Sequence, residues 1–224
     1  IRGYERRGTV FNGIPRDTIT WADYNSSRLI GFGTTEKLYL YEGGVNYDIT
    51  PIVSVVTATN ALNTTAGSTR IVVSATGIGI ADNEYVAFTS QTVLAGGNIF
   101  LTTISDAYEV SVIAAGSFAV DVAVTAAATS ASAGGDITIH RLLPPGPALA
   151  QPGFGWSAGT YGLSTYGTPR TVSNIVVSMR QWSLTNWGED LLACPYGKRI
   201  YTWDATGSNS AETRAVLVTA SPII

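Results

Sequence analysis

Apolar residues recur at every second position through much of this chain. Asp17-Thr18-Ile19-Thr20-Trp21 alternates in this way, as expected of a strand with one buried face. Arg28–Phe32, Lys37–Tyr41 and Val45–Thr50 follow at short intervals, separated by Gly33-Thr34-Thr35-Glu36 and Glu42-Gly43-Gly44. Glycine tolerates the positive φ that tight hairpins require, so residues 1–50 are expected to form one antiparallel meander. No run with a helical period competes with it.

The meander is written twice. At an offset of 162 residues, Leu29–Tyr41 falls on Leu191–Trp203 without a gap, and one residue of slippage upstream puts Trp21 beside Trp182. Each copy reads as apolar strand, glycine-containing turn, one or two basic residues, and an alternating strand that ends in aromatics. Such units bury their faces by stacking on neighbours. Val172–Met179 alternates ahead of the second copy, and Ala215–Ala220 reads as a further strand behind it.

Between the copies the composition changes. Residues 51–139 hold no tryptophan, no lysine and no proline after Pro51, and Arg70 alone stands against six acids. Ile52–Ala58, Arg70–Ala75, Glu84–Thr89, Ile99–Ile104, Tyr108–Ala114, Phe118–Val124 and Asp136–Leu142 are the strand candidates, with glycine punctuation between them. Short strands at such spacing imply a small sandwich or barrel. The fold class expected is therefore all-β, with blade-like antiparallel meanders (a split, propeller-type repeat) and an inserted β-sandwich or barrel. Residues 1–50 would be the first half of a blade-like platform and 51–143 the inserted domain. Residues 144–224 would be a Pro/Gly/aromatic return linker and the second half, with Pro144-Pro145-Gly146-Pro147 as a stiff spacer.

Composition narrows the function classes. Charged residues make up 13% of the 224 positions, about half the typical share, which suits a surface held inside an assembly. A net charge of −3 offers no basic footprint, so sequence-specific nucleic-acid binding is not expected. Cys194 is the one cysteine and His140 the one histidine, which excludes an internal disulfide and leaves little for metal or cofactor chemistry. No apolar run approaches the ~18 residues of a membrane helix. The opening Ile-Arg-Gly-Tyr-Glu-Arg-Arg-Gly lacks the apolar region of a signal peptide. The missing start methionine and the closing Ser-Pro-Ile-Ile read as ends cut from something longer.

No catalytic residue is expected. Gly155-Trp156-Ser157-Ala158-Gly159 fits the nucleophile-elbow pattern, but that chemistry needs a following helix and a downstream histidine, and His140 lies upstream. Cys194, in an apolar run with no adjacent base, reads as a buried small hydrophobe. Glu189-Asp190 and Arg6-Arg7 read as solvated charge pairs. Trp156, Tyr161 and Tyr166 recur every five residues on a glycine frame. With Trp182, Trp187 and Trp203 they are the expected contact residues, whose rings would either pack into a neighbouring subunit or stack on sugar faces.

Arg28-Leu29-Ile30-Gly31-Phe32-Gly33-Thr34, Lys37–Gly44 and Leu191–Asp204 resemble blades of β-propeller proteins of tailed bacteriophages, of the tail nozzle or tail tubular type. Gly77–Ile80, Asn83–Phe88, Tyr108–Val110 and Phe118–Val120 resemble small β domains inserted in phage tail proteins. The resemblance implies a non-enzymatic virion component located in the phage tail. Its partners would be copies of itself in a ring around the genome exit path, and other virion proteins. Two blades fall short of the four to eight of a closed propeller, so closure would need a longer polypeptide or neighbouring chains. Two other readings remain open: a tail-fibre or adhesin module that binds host-surface glycan, and a polysaccharide hydrolase built on paired carboxylates.

Overall fold

The computed structural model describes residues 10–150, 178–205 and 213–219. Every regular element among them is a β-strand. β1 (Pro15–Ala22), β2 (Arg28–Thr34), β3 (Leu38–Glu42) and β4 (Val45–Asp48) pair antiparallel in sequence order as one four-stranded sheet. This is the expected first meander. The second copy is also four-stranded, with β13 (Trp182–Trp187), β14 (Asp190–Pro195), β15 (Tyr201–Trp203) and β16 (Val216–Leu217) again in sequence order.

Between them lie β5 (Ile52–Thr59), β6 (Leu62–Thr64), β7 (Arg70–Ser74), β8 (Tyr85–Thr89), β9 (Tyr108–Ala114), β10 (Ser117–Asp121), β11 (Ser130–Ala133) and β12 (Asp136–Leu142). They make one sheet in the order β11-β6-β7-β10-β9-β8-β12-β5. Its two ends do not pair with each other, so the sheet is open and the closed-barrel alternative does not hold. Its inward residues, among them Ile71, Val73, Val86, Phe88, Phe118, Val120, Ile137 and Ile139, are 0–1% exposed and form one apolar cluster.

Three departures from the sequence pattern have local causes. Ile99–Ile104 is no strand, although Ile99 and Leu101 are buried. The Gln91 side chain supplies the bonds a ladder would give: its Nε2 donates to the carbonyls of Val93 and Ile99, and its Oε1 accepts from the Leu101 amide. β6 and β11 carry too few apolar positions to show a period, and they form where they pair with each other antiparallel.

The two meanders share a second core. Leu29, Leu38, Leu40 and Ile49 of the first copy pack with Trp182, Leu191, Ala193, Tyr201 and Trp203 of the second. Strand registers correct the alignment read from sequence. Trp21 faces Leu29 across β1–β2, whereas Leu191 faces Asn186 across β13–β14. Trp21 therefore corresponds to Asn186, and Trp182 to Asp17, because residues 23–27 make a longer loop than the Gly188-Glu189 turn. On the other side Ile30 faces Tyr41, but Leu192 faces Thr202. Tyr41 thus stands where Thr202 stands, one place from Trp203. A one-residue slip exchanges faces, so Trp203 lies inside and Tyr41 is half-buried.

Arg214, with its side chain fully buried, links the meanders to the eight-stranded sheet. Its Nη1 meets Asp48 Oδ1 at 2.9 Å, while Nε and Nη2 donate to the carbonyls of Ile104 and Ser105. Lys37 Nζ reaches the other oxygen of Asp48 at 2.9 Å. Burial acts to raise the Asp48 carboxyl, but Arg214 and then Lys37 outweigh it and hold the group below its ordinary range.

Candidate functional site

The first hairpin of each copy ends at the same place. Trp21 Nε1 donates to the Glu189 carbonyl at 2.7 Å, and the Glu189 carboxylate accepts the Tyr24 amide at 3.1 Å. Glu189 is accordingly buried, not the solvated charge expected, because both of its oxygen-bearing groups anchor the neighbouring loop. Its partner in sequence, Asp190, accepts the Ala205 amide. Gly188 turns the second hairpin at φ +64°, a left-handed conformation that glycine adopts without strain. The Tyr24 hydroxyl lies 3.7 Å from the point a Gly188 Cβ would occupy. Tyr24 and Trp187, the residue beside Gly188, are 83% and 77% exposed. Two large rings thus stand in solvent at one tip.

The other expected contact residues are placed differently. Trp182 is buried on Gly33, its Nε1 donating to the Thr34 carbonyl at 2.7 Å. Trp203 is buried too, with Nε1 donating to Thr213 Oγ1 at 3.0 Å. Their ring faces are spent within the chain. Trp156, Tyr161 and Tyr166 lie outside the described residues, as do Gly155–Gly159, Arg6-Arg7 and most of Val172–Met179.

A second feature is a cleft of about 710 Å³ between the end of the eight-stranded sheet and the second meander. Ile52, Leu143, Tyr201 and Leu217 give it an apolar floor, and Arg141, Lys198 and Arg199 are the charged residues that line it. Among the described residues no acid lines it, and no paired carboxylates are assembled there. Glu84 holds Arg141 from behind through two 2.8 Å bonds. Lys198 and Arg199 are exposed on the β14–β15 turn. Burial raises the Tyr201 hydroxyl against the opposing pull of Arg199 and Arg180.

His140 and Cys194 are not brought together. His140 Nε2 sits 2.7 Å from Thr89 Oγ1, and its buried Nδ1 has no hydrogen-bond partner among the described residues. Burial, and secondarily Arg214, pushes its pKa below the ordinary value. Cys194 is half-buried, not enclosed, since its side chain points to the face of β14 opposite Leu191 and Ala193. No group of three or more His, Cys, Asp or Glu residues able to hold a metal occurs among the described residues. Sequence reasoning missed Tyr24 and the Lys198-Arg199 pair. The one available signal was an aromatic or a basic pair at a turn between two strands.

No protein-family model matches the sequence, and no curated protein matches it either. Among solved structures, the phage phi92 endosialidase is similar over 51% of this chain at 17% identity, with a TM-score of 0.32. The chain spans 16% of that protein's length. A likeness of this size carries no argument about fold or chemistry.

Proposed function

We propose that this chain is a non-enzymatic structural component of a tailed-phage virion that works by multimeric assembly in the tail. In this reading β1–β4 and β13–β16 serve as its platform, and the eight-stranded sheet β5–β12 is the module carried between them. The observation that carries this reading is the tip. Tyr24 and Trp187 project 83% and 77% exposed from two hairpins that Glu189 joins, and exposed large aromatics are the residues that anchor subunit contacts. The buried carboxylates support a structural role as well: Asp48 is paired with Arg214 and Lys37, and Glu84 with Arg141.

Sedimentation of the natural polypeptide tests this proposal. A ring of fixed copy number, lost in the Tyr24→Ser/Trp187→Ser double variant without a change in melting temperature, is the expected result. A monomer at all concentrations would overturn it.

The same two rings favour one alternative, a module that binds host-surface glycan, because each offers an apolar plane with a polar edge. Glycan binding by the monomer, removed by Trp187→Ser, would select that reading.

A further inference from the structure

The two ends of the eight-stranded sheet are treated differently. β11 is only four residues long and carries Ser132 at φ +54°, and a short, kinked strand resists pairing with another chain. β5, at the opposite end, runs for eight residues, Ile-Val-Ser-Val-Val-Thr-Ala-Thr, with no charge and no proline. Its Val53 and Val55 are 44% and 53% exposed. At its start it lies beside the residues that lead into β16, where the Ile52 amide donates to the Ala215 carbonyl at 3.1 Å. From Ser54 to Thr59 the outer edge has no partner strand among the described residues. That edge is a template for strand addition.

The edge also has a destination. Ile52 and Val53 line the 710 Å³ cleft, whose charged residues are Arg141, Lys198 and Arg199. Every ladder of this sheet is antiparallel. A segment added to β5 in the same sense would run from Thr59 toward Ile52, and its C-terminal end would enter the cleft. The cleft presents cations over an apolar floor, so its complement is an extended segment that is uncharged and β-branched along its length and acidic at its end.

We propose that β5 and this cleft form one docking groove for an extended, acid-ended segment of another protein chain. Main-chain bonds to β5 would hold the segment, and Lys198 and Arg199 would select the acid. The inference deepens the assembly reading but rests on it only for the source of the segment. Sedimentation tests that reading without any peptide, so failure of one is distinguishable from failure of the other.

The test uses fluorescence anisotropy with the full chain and the labelled, amidated octapeptide Ser-Thr-Val-Thr-Val-Thr-Asp-Asp, beside its twin ending in Asn-Asn. The acidic peptide is expected to bind at least tenfold tighter, and Lys198→Glu/Arg199→Glu to erase the difference. Two further peptides carry N-methyl groups on alternate backbone nitrogens in opposite phases. Strand addition requires one phase to lose binding and the other to keep it. Equal binding of acidic and neutral peptides, binding of neither, or equal behaviour of the two methylated phases would overturn the proposal. So would a dimer formed through β5 that the acidic peptide does not reverse. The peptide comparisons use the unaltered protein, so they do not depend on the fold of any variant.

Discussion

The indole of Trp182 lies flat against Gly33, so close that a Cβ on Gly33 would come within 2.7 Å of Trp182 Cδ2. Gly33 belongs to the first copy of the repeat and Trp182 to the second, and the absence of one side chain is the room the other occupies. The Trp182 Nε1 bond to the Thr34 carbonyl fixes the ring there.

Gly33→Ala should therefore overpack the shared core and destabilise the fold by about 1–3 kcal/mol. Trp182→Ala should cost about 3–5 kcal/mol through the cavity it leaves. The double variant should be markedly more stable than the sum of the two losses implies, because the added methyl then has space. Urea denaturation of the three variants checks this, and strict additivity would contradict the contact.

Arg214→Met removes the buried partner of Asp48 and frees the carbonyls of Ile104 and Ser105. Breaking such a pair from one side is expected to cost about 3–5 kcal/mol. Hydrogen exchange should then rise in the 103–106 turn and in β4 together, since one side chain ties both.

Asp48 titrates below its ordinary value of 3.8 when folded. The stabilisation from its charged form is thus fully present above the unfolded value and is lost as pH falls from there through the folded value. Asp48→Asn should be less stable than the parent at pH 7 and show a flatter acid-unfolding curve. A parallel loss of stability in both proteins between pH 5 and 2 would count against the assignment.

His140 has the same sign for a different reason. Its pKa lies below the ordinary 6.5 because burial, and then Arg214, disfavours the imidazolium. The neutral ring contributes its full stability above that value, and the contribution declines as pH falls below it, where the unfolded chain binds the proton more readily. The melting temperature should fall as pH drops from 7 toward 5, and His140→Gln should remove that slope. An unchanged slope in the variant would place the titrating group elsewhere.

Trp187 is 77% exposed, whereas Trp182 and Trp203 are buried. Trp187→Phe should therefore remove a large part of the acrylamide-quenchable tryptophan emission of the monomer while leaving the melting temperature unchanged. In an assembled ring that same fraction should already be protected in the parent protein.

Much of the architecture could be read from the chain because alternation with period two is a local property. β2, β3, β9 and β12 fall within a residue or two of the runs that announce them. β6 and β11 could not be read, since Leu-Asn-Thr and Ser-Ala-Ser-Ala are too short and hold too few large apolar residues to announce a strand. Ile99–Ile104 misled for the opposite reason: it has the apolar pattern, but one buried glutamine satisfies its backbone. Of the aromatic contact residues, only Trp187 among the described ones keeps its ring in solvent. Aromatic identity says that a side chain will seek a large contact, not whether that contact lies inside the chain or outside it.

By itself the sequence determined that this protein is all-β and that one meander is written twice, because pleat alternation and glycine turns are encoded within a few neighbouring residues. Tertiary structure alone decided the registers that move Trp21 opposite Asn186 in the repeat and turn Trp203 inward. It also decided the burial of Glu189, the pairing of Arg214 with Asp48, and the meeting of Lys198 and Arg199 with Arg141 at the foot of β5. Each of these depends on residues far apart in the chain, and loop length and sheet packing set which of them meet.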